Sequence, residues 1–289
     1  MGWIARRKLA AAVCNAGGLG IIETSSGEIE NCIEEIKAMP KLTDQPFGVN
    51  LPLMFLADDR MVNIVADAGV KFVTTSAGDP SKYIQILKDA NITVFHAVPS
   101  LKGALKAVDA GVDGLVVEGT EGGGFKASEE VGLHVLIQSI KKHTDIPIVA
   151  AGGIVDGRGM AAAFAAGAEG IQMGTRFVSS IESPVHNNYK NKIIESSEEG
   201  TFILNKKGRP CIRALKSNLT EEIYEKGVMD MSALGGIKNL YFEGDMEAAP
   251  ALAGQSIGLI DEVKPVKNII EETIAEFNAI CDAMPMAKL

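Results

Sequence analysis

Three short glycine-containing segments hold the residues of this sequence that are best suited to chemistry. The first is EGTEGGGFKAS at residues 118–128, in which three consecutive glycines precede Phe125 and Lys126. The others are AGGI at residues 151–154 and QMGT at residues 172–175. Glycine lets backbone N–H groups approach an anion closely, and a threonine hydroxyl adds a further donor. The second and third segments therefore predict a phosphate-binding site, although glycines that only let helices pack closely remain an alternative.

Four polar side chains extend this set of candidates. Asn50 and Gln172 each end a β-rich run, and their amides could meet the polar edge of an aromatic cofactor. His96 in TVFHAVP and His186 in SPVHNNYK are candidate acid–base groups. A single histidine is more often a core or helix-capping residue, so that alternative stays open for both.

Seven β-rich runs alternate with helix-like segments along the first two thirds of the chain. Their midpoints are about 20 to 35 residues apart, which leaves room for a helix each time, as parallel βαβ units require. Most are continuous apolar runs, which is typical of strands covered on both faces. The predicted strands are residues 19–23, 47–51, 72–78, 93–99, 114–119, 146–153 and 170–177.

The regular spacing favours a (β/α)₈ barrel, and a doubly wound open sheet is the alternative. A barrel of this kind needs eight strands. The chain opens with MGWIARRKLAAAV, a loop and a helix without a preceding strand. We therefore expect the counterpart of the first strand to be missing, through truncation or an internal start. The segments AGGI and QMGT then follow strands seven and eight, where barrels of this kind bind phosphate.

The βα rhythm stops after Phe177, and the domain organisation is predicted from that change. Residues 183–246 are polar and irregular, and we interpret them as a helical lid inserted over one mouth of the barrel. Residues 1–182 and 247–289 then form the barrel domain. The final segment VKNIIEETIAEF carries apolar residues at a spacing of three to four and predicts an amphipathic helix packed on the barrel.

Composition excludes several classes of function. The formal net charge of −9 argues against nucleic acid or an anionic membrane surface as a partner. The four cysteines lie far apart, which fits reduced thiols in the cytoplasm, and the histidines lack metal-ligand spacing. The expected partner is a small molecule, and a homodimer is compatible with the sequence.

Several motifs in one order resemble a known family of flavoenzymes. They are PFGVN, VTTSAGDPSKY, EGTEGGGF and AGGIVDGRGMAAAFAAGAEGIQMGTRF, with RALKSNLTEE and AGQSIGLI further on. Together they resemble the flavin-dependent nitronate monooxygenases (2-nitropropane dioxygenase-like). They equally resemble the related flavin-dependent enoyl-acyl-carrier-protein reductases II. The resemblance runs from Met1 to about residue 260 and implies an FMN-binding TIM barrel.

The resemblance also implies which residues bind the cofactor. The opening Met-Gly is similar to a turn that ends the family's first strand, and the other positions match flavin or phosphate contacts. The implied FMN-binding residues are Met1, Gly2, Asn50, Glu118, Gly122, Gly123, Gly124, Gly152, Gly153, Gln172, Met173, Gly174 and Thr175.

The sequence departs from both families at Phe125. Most members have histidine after the glycine pair, and in the monooxygenases this histidine takes a proton from a neutral nitroalkane. Phenylalanine has no proton to move. A nitronate needs no base, so the leading hypothesis is an FMN-dependent enzyme that oxidises alkyl nitronates with dioxygen. Lys126 could attract such an anion.

Two further hypotheses remain open. Phe125 could line a pocket for an apolar substrate, which favours an NAD(P)H-dependent reductase of enoyl thioesters. Alternatively, the chain could bind flavin without catalysing a reaction. The catalytic residue is therefore left unknown, with His96 and His186 as the remaining histidine candidates.

Overall fold

The protein is built around a parallel sheet of seven strands, seen in a computed structural model that describes residues 1–56 and 59–284. Three further short strands form a second sheet. In chain order, the strands are β1 (Ile21–Glu23), β2 (Gly48–Pro52), β3 (Phe72–Ser76), β4 (Thr93–Val98), β5 (Gly114–Glu118), β6 (Gly124–Lys126), β7 (Ile148–Ala151), β8 (Gly170–Gln172), β9 (Thr201–Leu204) and β10 (Cys211–Leu215).

Helices follow most strands and cover the outside of the main sheet. They are α1 (Arg7–Asn15), α2 (Ile29–Ala38), α3 (Arg60–Asp67), α4 (Ile84–Asp89), α5 (Leu101–Asp109), α6 (Leu133–Lys141), α7 (Gly157–Ala166), α8 (Thr175–Val178), α9 (Asn187–Ile194), α10 (Asn218–Lys226) and α11 (Val266–Ala283). No helix among the described residues is both long and apolar enough to cross a membrane.

The prediction of a β/α barrel that lacks one strand is confirmed. The main sheet has the order β1-β2-β3-β4-β5-β7-β8, with every pair parallel. Within the described chain no ladder joins β1 to β8, so these two strands are edges. Gln172 on β8 is accordingly exposed, whereas Val116 and Val117 on the interior strand β5 are buried.

The alternation of side chains along each strand fixes which residues face the barrel interior. Val49 and Val73 are fully buried and belong to a cluster with Val62 and Val65 of α3, so they face the helices. Neighbouring residues on a strand point to opposite faces of the sheet. Asn50 and its register partner Thr74 therefore point into the barrel.

Capping residues determine where the helices that cover the strands begin and end. Asp156 precedes α7, and its carboxylate accepts a hydrogen bond from Gly159 N at 2.8 Å. The same helix ends at Gly167, whose φ of +112° suits a residue without a Cβ. The predicted C-terminal helix is α11, which packs against α7 and α1 and buries Val266, Ile269 and Ile270.

The inserted segment differs from the helical lid that the sequence suggested. Residues 183–246 contain α9 and α10, but they also contain β9 and β10. These two strands join β6 in an antiparallel sheet of order β6-β10-β9. The runs TFIL and CIRAL are short, and the polar turn between them hid their pairing in a pattern-based interpretation.

Several predicted strand boundaries also differ, and two of these differences concern the candidate site. The predicted strand at residues 170–177 is shorter, because β8 ends at Gln172 and α8 begins at Thr175. The predicted strand at residues 146–153 ends at Ala151, where Gly152 and Gly153 take positive φ angles of +93° and +77°. The polar and glycine residues of these segments thus lie beyond the strand ends, in the loops that carry the candidate site.

Candidate functional site

The carboxyl ends of the seven parallel strands meet at one mouth of the barrel, where enzymes of this architecture place their chemistry. Asn50 lies near the floor of this mouth on β2. Its Nδ2 donates to Thr74 Oγ1 at 2.9 Å and to Ser76 Oγ at 3.3 Å. Within the described chain Asn50 Oδ1 has no partner, so this oxygen is free to accept a hydrogen bond at the mouth.

The turn after β7 presents backbone donors to the mouth. In the described part of the chain, no acceptor takes the N–H groups of Gly152 and Gly153. A Cβ on Gly152 would lie 2.9 Å from Gly122 N and 3.2 Å from Gly119 O, so only glycine fits between these backbones. Two adjacent donors in left-handed conformations form a concave surface suited to an anion.

The turn after β8 completes this donor set. Gly174 N is likewise without an acceptor among the described residues, and it precedes the short helix α8. Thr175 Oγ1 accepts a hydrogen bond from Gly254 N at 3.0 Å, which leaves its hydroxyl proton available to a ligand. Backbone donors from two neighbouring strand ends suit an anion such as a phosphate, and the binding of an FMN phosphate here stays a prediction.

The opening residues lie beside the same strand ends. Met1 Sδ is 3.9 Å from the position of a Cβ on Gly174. The buried Glu23 carboxylate, at the end of β1, accepts Trp3 N at 3.0 Å and pairs with Arg6 Nη2 at 2.9 Å. These bonds hold Met1 and Gly2 between the ends of β1 and β8. Gln172 and Met173 lie at the exposed end of β8.

A different structural constraint favours glycine at each position of the triplet after β5. A Cβ on Gly122 would lie 2.5 Å from Glu118 Oε1, and one on Gly123 would lie 2.6 Å from the carbonyl carbon of Ala253. Gly124 has a φ of +79° where the chain enters β6. We name residues 119–124 the glycine bend. It carries the chain from β5 across to the second sheet.

Phe125 lies in β6 opposite Ile212 of β10, and its side chain remains 41% exposed. Its ring stacks on Phe55, with 5.6 Å between the ring centroids and 26° between the planes. Phe55 follows β2 and is missing from the sequence-based candidates, because a phenylalanine in a loop carries no recognisable pattern. The position of the family histidine is therefore occupied by half of an exposed aromatic pair.

Lys126 points to the other side of β6 from Phe125 and forms an ion pair with Glu118 at the end of β5. The Lys126 side chain is only 3% exposed, whereas that of Glu118 is 34% exposed. A buried ammonium group with a carboxylate partner is not available to attract an anionic substrate from solution. The suggestion that Lys126 attracts a nitronate therefore finds no support in this geometry.

His96 lies on the face of the sheet opposite Asn50. It shares one face of β4 with the buried Val94 and Val98, and its Nδ1 is 2.8 Å from Thr75 Oγ1. Burial lowers the pKa of His96 to about 4, so the ring is neutral at pH 7. These contacts are those of a core histidine and do not bring the ring to the glycine bend.

His186 is exposed and begins α9. Its Nδ1 accepts a hydrogen bond from Asn188 N at 3.1 Å, as a helix cap does. Its backbone N–H donates to Tyr241 O at 2.6 Å, within the inserted segment. The structure does not bring His186 into contact with Phe125.

Metal chemistry receives no support from the described side chains. Within residues 1–56 and 59–284, no group of three or more His, Cys, Asp and Glu residues could hold a metal ion. All four cysteines are free thiols, and burial raises the pKa of Cys14 and of Cys32.

Comparison with known proteins gives this site a family context. The family model for nitronate monooxygenase matches residues 1–59 and 53–276. The chain is 40% identical to FabK of Thermotoga maritima, with a TM-score of 0.92 over 98% of this chain and 92% of FabK. FabK is an enoyl-ACP reductase II.

Two further proteins are similar over almost the whole chain. The structure of a nitroalkane oxidase of Streptomyces ansochromogenes has 26% identity and a TM-score of 0.86, over 98% of this chain and 95% of the oxidase. The other is the (3aS,4S,5R,7aS)-5-hydroxy-7a-methyl-1-oxo-octahydro-1H-indene-4-carboxyl-CoA dehydrogenase of Rhodococcus jostii. It is 29% identical over 98% of this chain and 92% of the dehydrogenase. The similar proteins thus include a nitroalkane enzyme and enzymes of acyl thioesters.

Proposed function

The chain belongs to the nitronate monooxygenase family of oxidoreductases, and from that premise we propose that it is an FMN-dependent reductase of enoyl thioesters. The observation that carries this proposal is the exposed pair of Phe55 and Phe125 at the barrel mouth. Two phenyl rings suit an apolar acyl chain better than a small anion. The similarity to FabK and to a carboxyl-CoA dehydrogenase supports the same substrate class.

The residues at the ends of β7 and β8 would hold FMN by its phosphate. Gly152, Gly153 and Gly174 supply N–H donors, and Thr175 supplies a hydroxyl. Asn50 Oδ1 and Gln172 would accept or donate at the polar edge of the ring. When bound, FMN supplies hydride transfer, from a reduced pyridine nucleotide to the carbon–carbon double bond of the thioester.

Phe125 sets a limit on the proton chemistry at this site. Reduction of an enoyl thioester needs a hydride at one carbon and a proton at the adjacent carbon. Phe125 cannot deliver that proton, so in this proposal it comes from solvent. The role left to Phe125 is to bind substrate and to exclude part of the water from the mouth.

Oxidation of alkyl nitronates with dioxygen is the second candidate function. The absence of an imidazole at residue 125 favours it, because a nitronate has already lost the proton that the family histidine removes. The ion pair of Lys126 with Glu118 disfavours nitronate oxidation, because it leaves this cation unable to bind an anionic substrate.

An anaerobic absorbance experiment on FMN-loaded protein distinguishes the two functions. If the protein is an enoyl-thioester reductase, NADH or NADPH bleaches the flavin, and a trans-2-enoyl-CoA then restores its colour. If it oxidises nitronates, ethyl nitronate bleaches the flavin and pyridine nucleotides do not. A protein that binds FMN but responds to neither reductant would be a flavin-binding protein without this activity.

A further inference from the structure

The Phe55–Phe125 contact is unusual among the aromatic contacts of the described chain, because both of its rings are exposed. Phe55 is 43% exposed and Phe125 is 41% exposed. Every other ring pair within residues 1–56 and 59–284 has at least one member that is buried or half-buried. Met54, next to Phe55, is 75% exposed. Clustered apolar side chains in contact with water at a candidate site mark a binding surface.

The topology shows that this contact crosses the mouth of the barrel. Phe55 follows β2, and Phe125 lies beyond β5 in β6. In the main sheet, β3 and β4 lie between β2 and β5. Two rings that meet from β2 and from the β5 side therefore span the part of the mouth that lies between these two strands. We name Phe55 and Phe125 the aromatic bridge.

The interior face of the strand that Phe55 follows is polar. Asn50, Thr74 and Ser76 form a hydrogen-bonded group on the interior face of β2 and β3. A ligand that fits both surfaces has a polar head directed at these groups and an apolar chain against the rings. A fatty acyl thioester has this division, whereas a short nitronate lacks the chain.

We infer that the aromatic bridge binds the acyl chain of the substrate and that Phe55 is a specificity-determining residue for chain length. The inference rests on the proposed function and adds the part of the site that selects among thioesters. Phe55 is supplied by a loop that no family motif identifies.

Backbone contacts hold the main chain of Phe55 and Phe125 in place before substrate binds. Phe55 N donates to Pro52 O at 2.8 Å, and Met54 N donates to Ala77 O at 2.8 Å, which fixes the loop against the residue that follows β3. Phe125 is held by the pairing of β6 with β10. With the main chain fixed in this way, only side-chain freedom is lost when an acyl chain binds.

The test measures binding rather than turnover. Saturated acyl-CoA probes, from butyryl-CoA to decanoyl-CoA, are titrated into the oxidised FMN-loaded protein by calorimetry. For the wild type we expect decanoyl-CoA to bind at least about tenfold more tightly than butyryl-CoA, since buried CH₂ groups add affinity. In Phe55→Ala the ratio should fall below about threefold, mainly through weaker binding of decanoyl-CoA.

Matched variants distinguish the specific effect of the aromatic bridge on acyl-CoA affinity from the general effect of removing an exposed phenyl ring. Phe242→Ala removes another exposed phenylalanine, 39% exposed and in contact with Tyr241, and should leave the ratio unchanged. Phe55→Leu should keep part of the chain-length preference. In the double variant Phe55→Ala/Phe125→Ala, the affinity for decanoyl-CoA should fall by less than the product of the fold-losses in the two single variants. The two losses are not independent, because the two rings contact each other.

Two results would overturn the inference. One is an unchanged ratio in Phe55→Ala while the protein still binds FMN. The other is a change in molecular mass of that variant without a change in the ratio, which would assign the bridge to a contact between two copies of the chain. Failure of the proposed function would give a separate result in the anaerobic absorbance experiment, because no enoyl-CoA would then reoxidise the reduced flavin.

Discussion

The two sides of the barrel mouth present different chemical groups. At the ends of β7 and β8 the groups at the mouth are backbone N–H donors of glycines, with one threonine hydroxyl. On the opposite side, the groups are the side chains of Phe55 and Phe125. A backbone site changes little when side chains are substituted, whereas a side-chain site changes with a single residue. In our proposal the first side binds the cofactor and the second side binds the substrate. The resemblance to the family includes the glycines of this cofactor side, and Phe125 on the substrate side departs from it.

The largest effect is expected from a Cβ on the cofactor side. Gly152→Ala places a carbon 2.9 Å from Gly122 N, at a φ of +93°. We expect FMN to bind on the order of 100-fold more weakly, since displacing the donors misplaces the phosphate. The measurement is the dissociation constant of FMN from the quenching of its fluorescence.

Gly17→Ala is the control for that substitution. Gly17 has a φ of +90°, and a Cβ there would meet nothing within 4 Å. It should lower the free energy of unfolding by about 1 kcal/mol through backbone strain alone and leave FMN affinity unchanged. Equal losses of FMN affinity in the two variants would show that strain, rather than the donors, explains the effect.

Restoring an imidazole on the substrate side is expected to have the next largest effect. Phe125→His should raise the turnover of neutral nitroalkanes by about 100-fold, because the ring can take the α-proton. Oxygen consumption with nitroethane measures this. Phe125→Leu, which adds no base, is the matched control. A similar rise in both variants would mean that space, and not proton transfer, limits the wild type.

A third prediction concerns His96, which belongs to neither side of the mouth. Its pKa is about 4 in the folded protein against an ordinary value of 6.5, so the unfolded chain binds the proton first as the pH falls. Its contribution to stability is complete above pH 6.5 and is lost as the pH falls to about 4, by about 3 kcal/mol in total. Denaturant unfolding across this range measures the loss.

His96→Gln should remove that part of the pH dependence. The carboxylates titrate alike in both proteins, so the difference between the two stability curves isolates the histidine. Enzymatic activity measured between pH 6.5 and 8 should be similar for the two proteins. A loss of activity in this range without a loss of stability would place His96 in the chemistry after all.

The smallest effect is expected at Lys126. Lys126→Met removes the partner of Glu118, a carboxylate with a side chain 34% exposed, and should cost about 1 kcal/mol of stability. The KM for ethyl nitronate should change less than twofold. Lys106→Met, which breaks the exposed pair with Asp79, is the control. A tenfold rise in KM specific to Lys126→Met would show that the ammonium group does bind the anion.

Much of the cofactor side could be predicted from the sequence. Strand periodicity and glycine spacing are local properties, so β1 to β5, β7 and β8 were recognisable, and Gly152, Gly153 and Gly174 fell at strand ends as expected. The amphipathic stripe of α11 was recognisable for the same reason, although Ile274 at its edge is 46% exposed.

The substrate side could not be predicted in the same way. β6 has only three residues, and one of them is glycine, so its pairing with β10 depends on contacts far along the chain. Phe55 can be recognised as a candidate site residue only from its contact with the ring of Phe125, which is distant in sequence. His96 looked like a candidate because the sequence does not show which face of β4 carries it.

The relative affinity for FMN and riboflavin tests most directly whether backbone donors at the ends of β7 and β8 bind a phosphate. The two flavins share a ring and differ in the phosphate, so the ratio of their dissociation constants reports on these donors alone. We expect FMN to bind at least about 100-fold more tightly than riboflavin, because several N–H groups would lose their acceptor. Equal affinities for the two flavins would contradict this assignment.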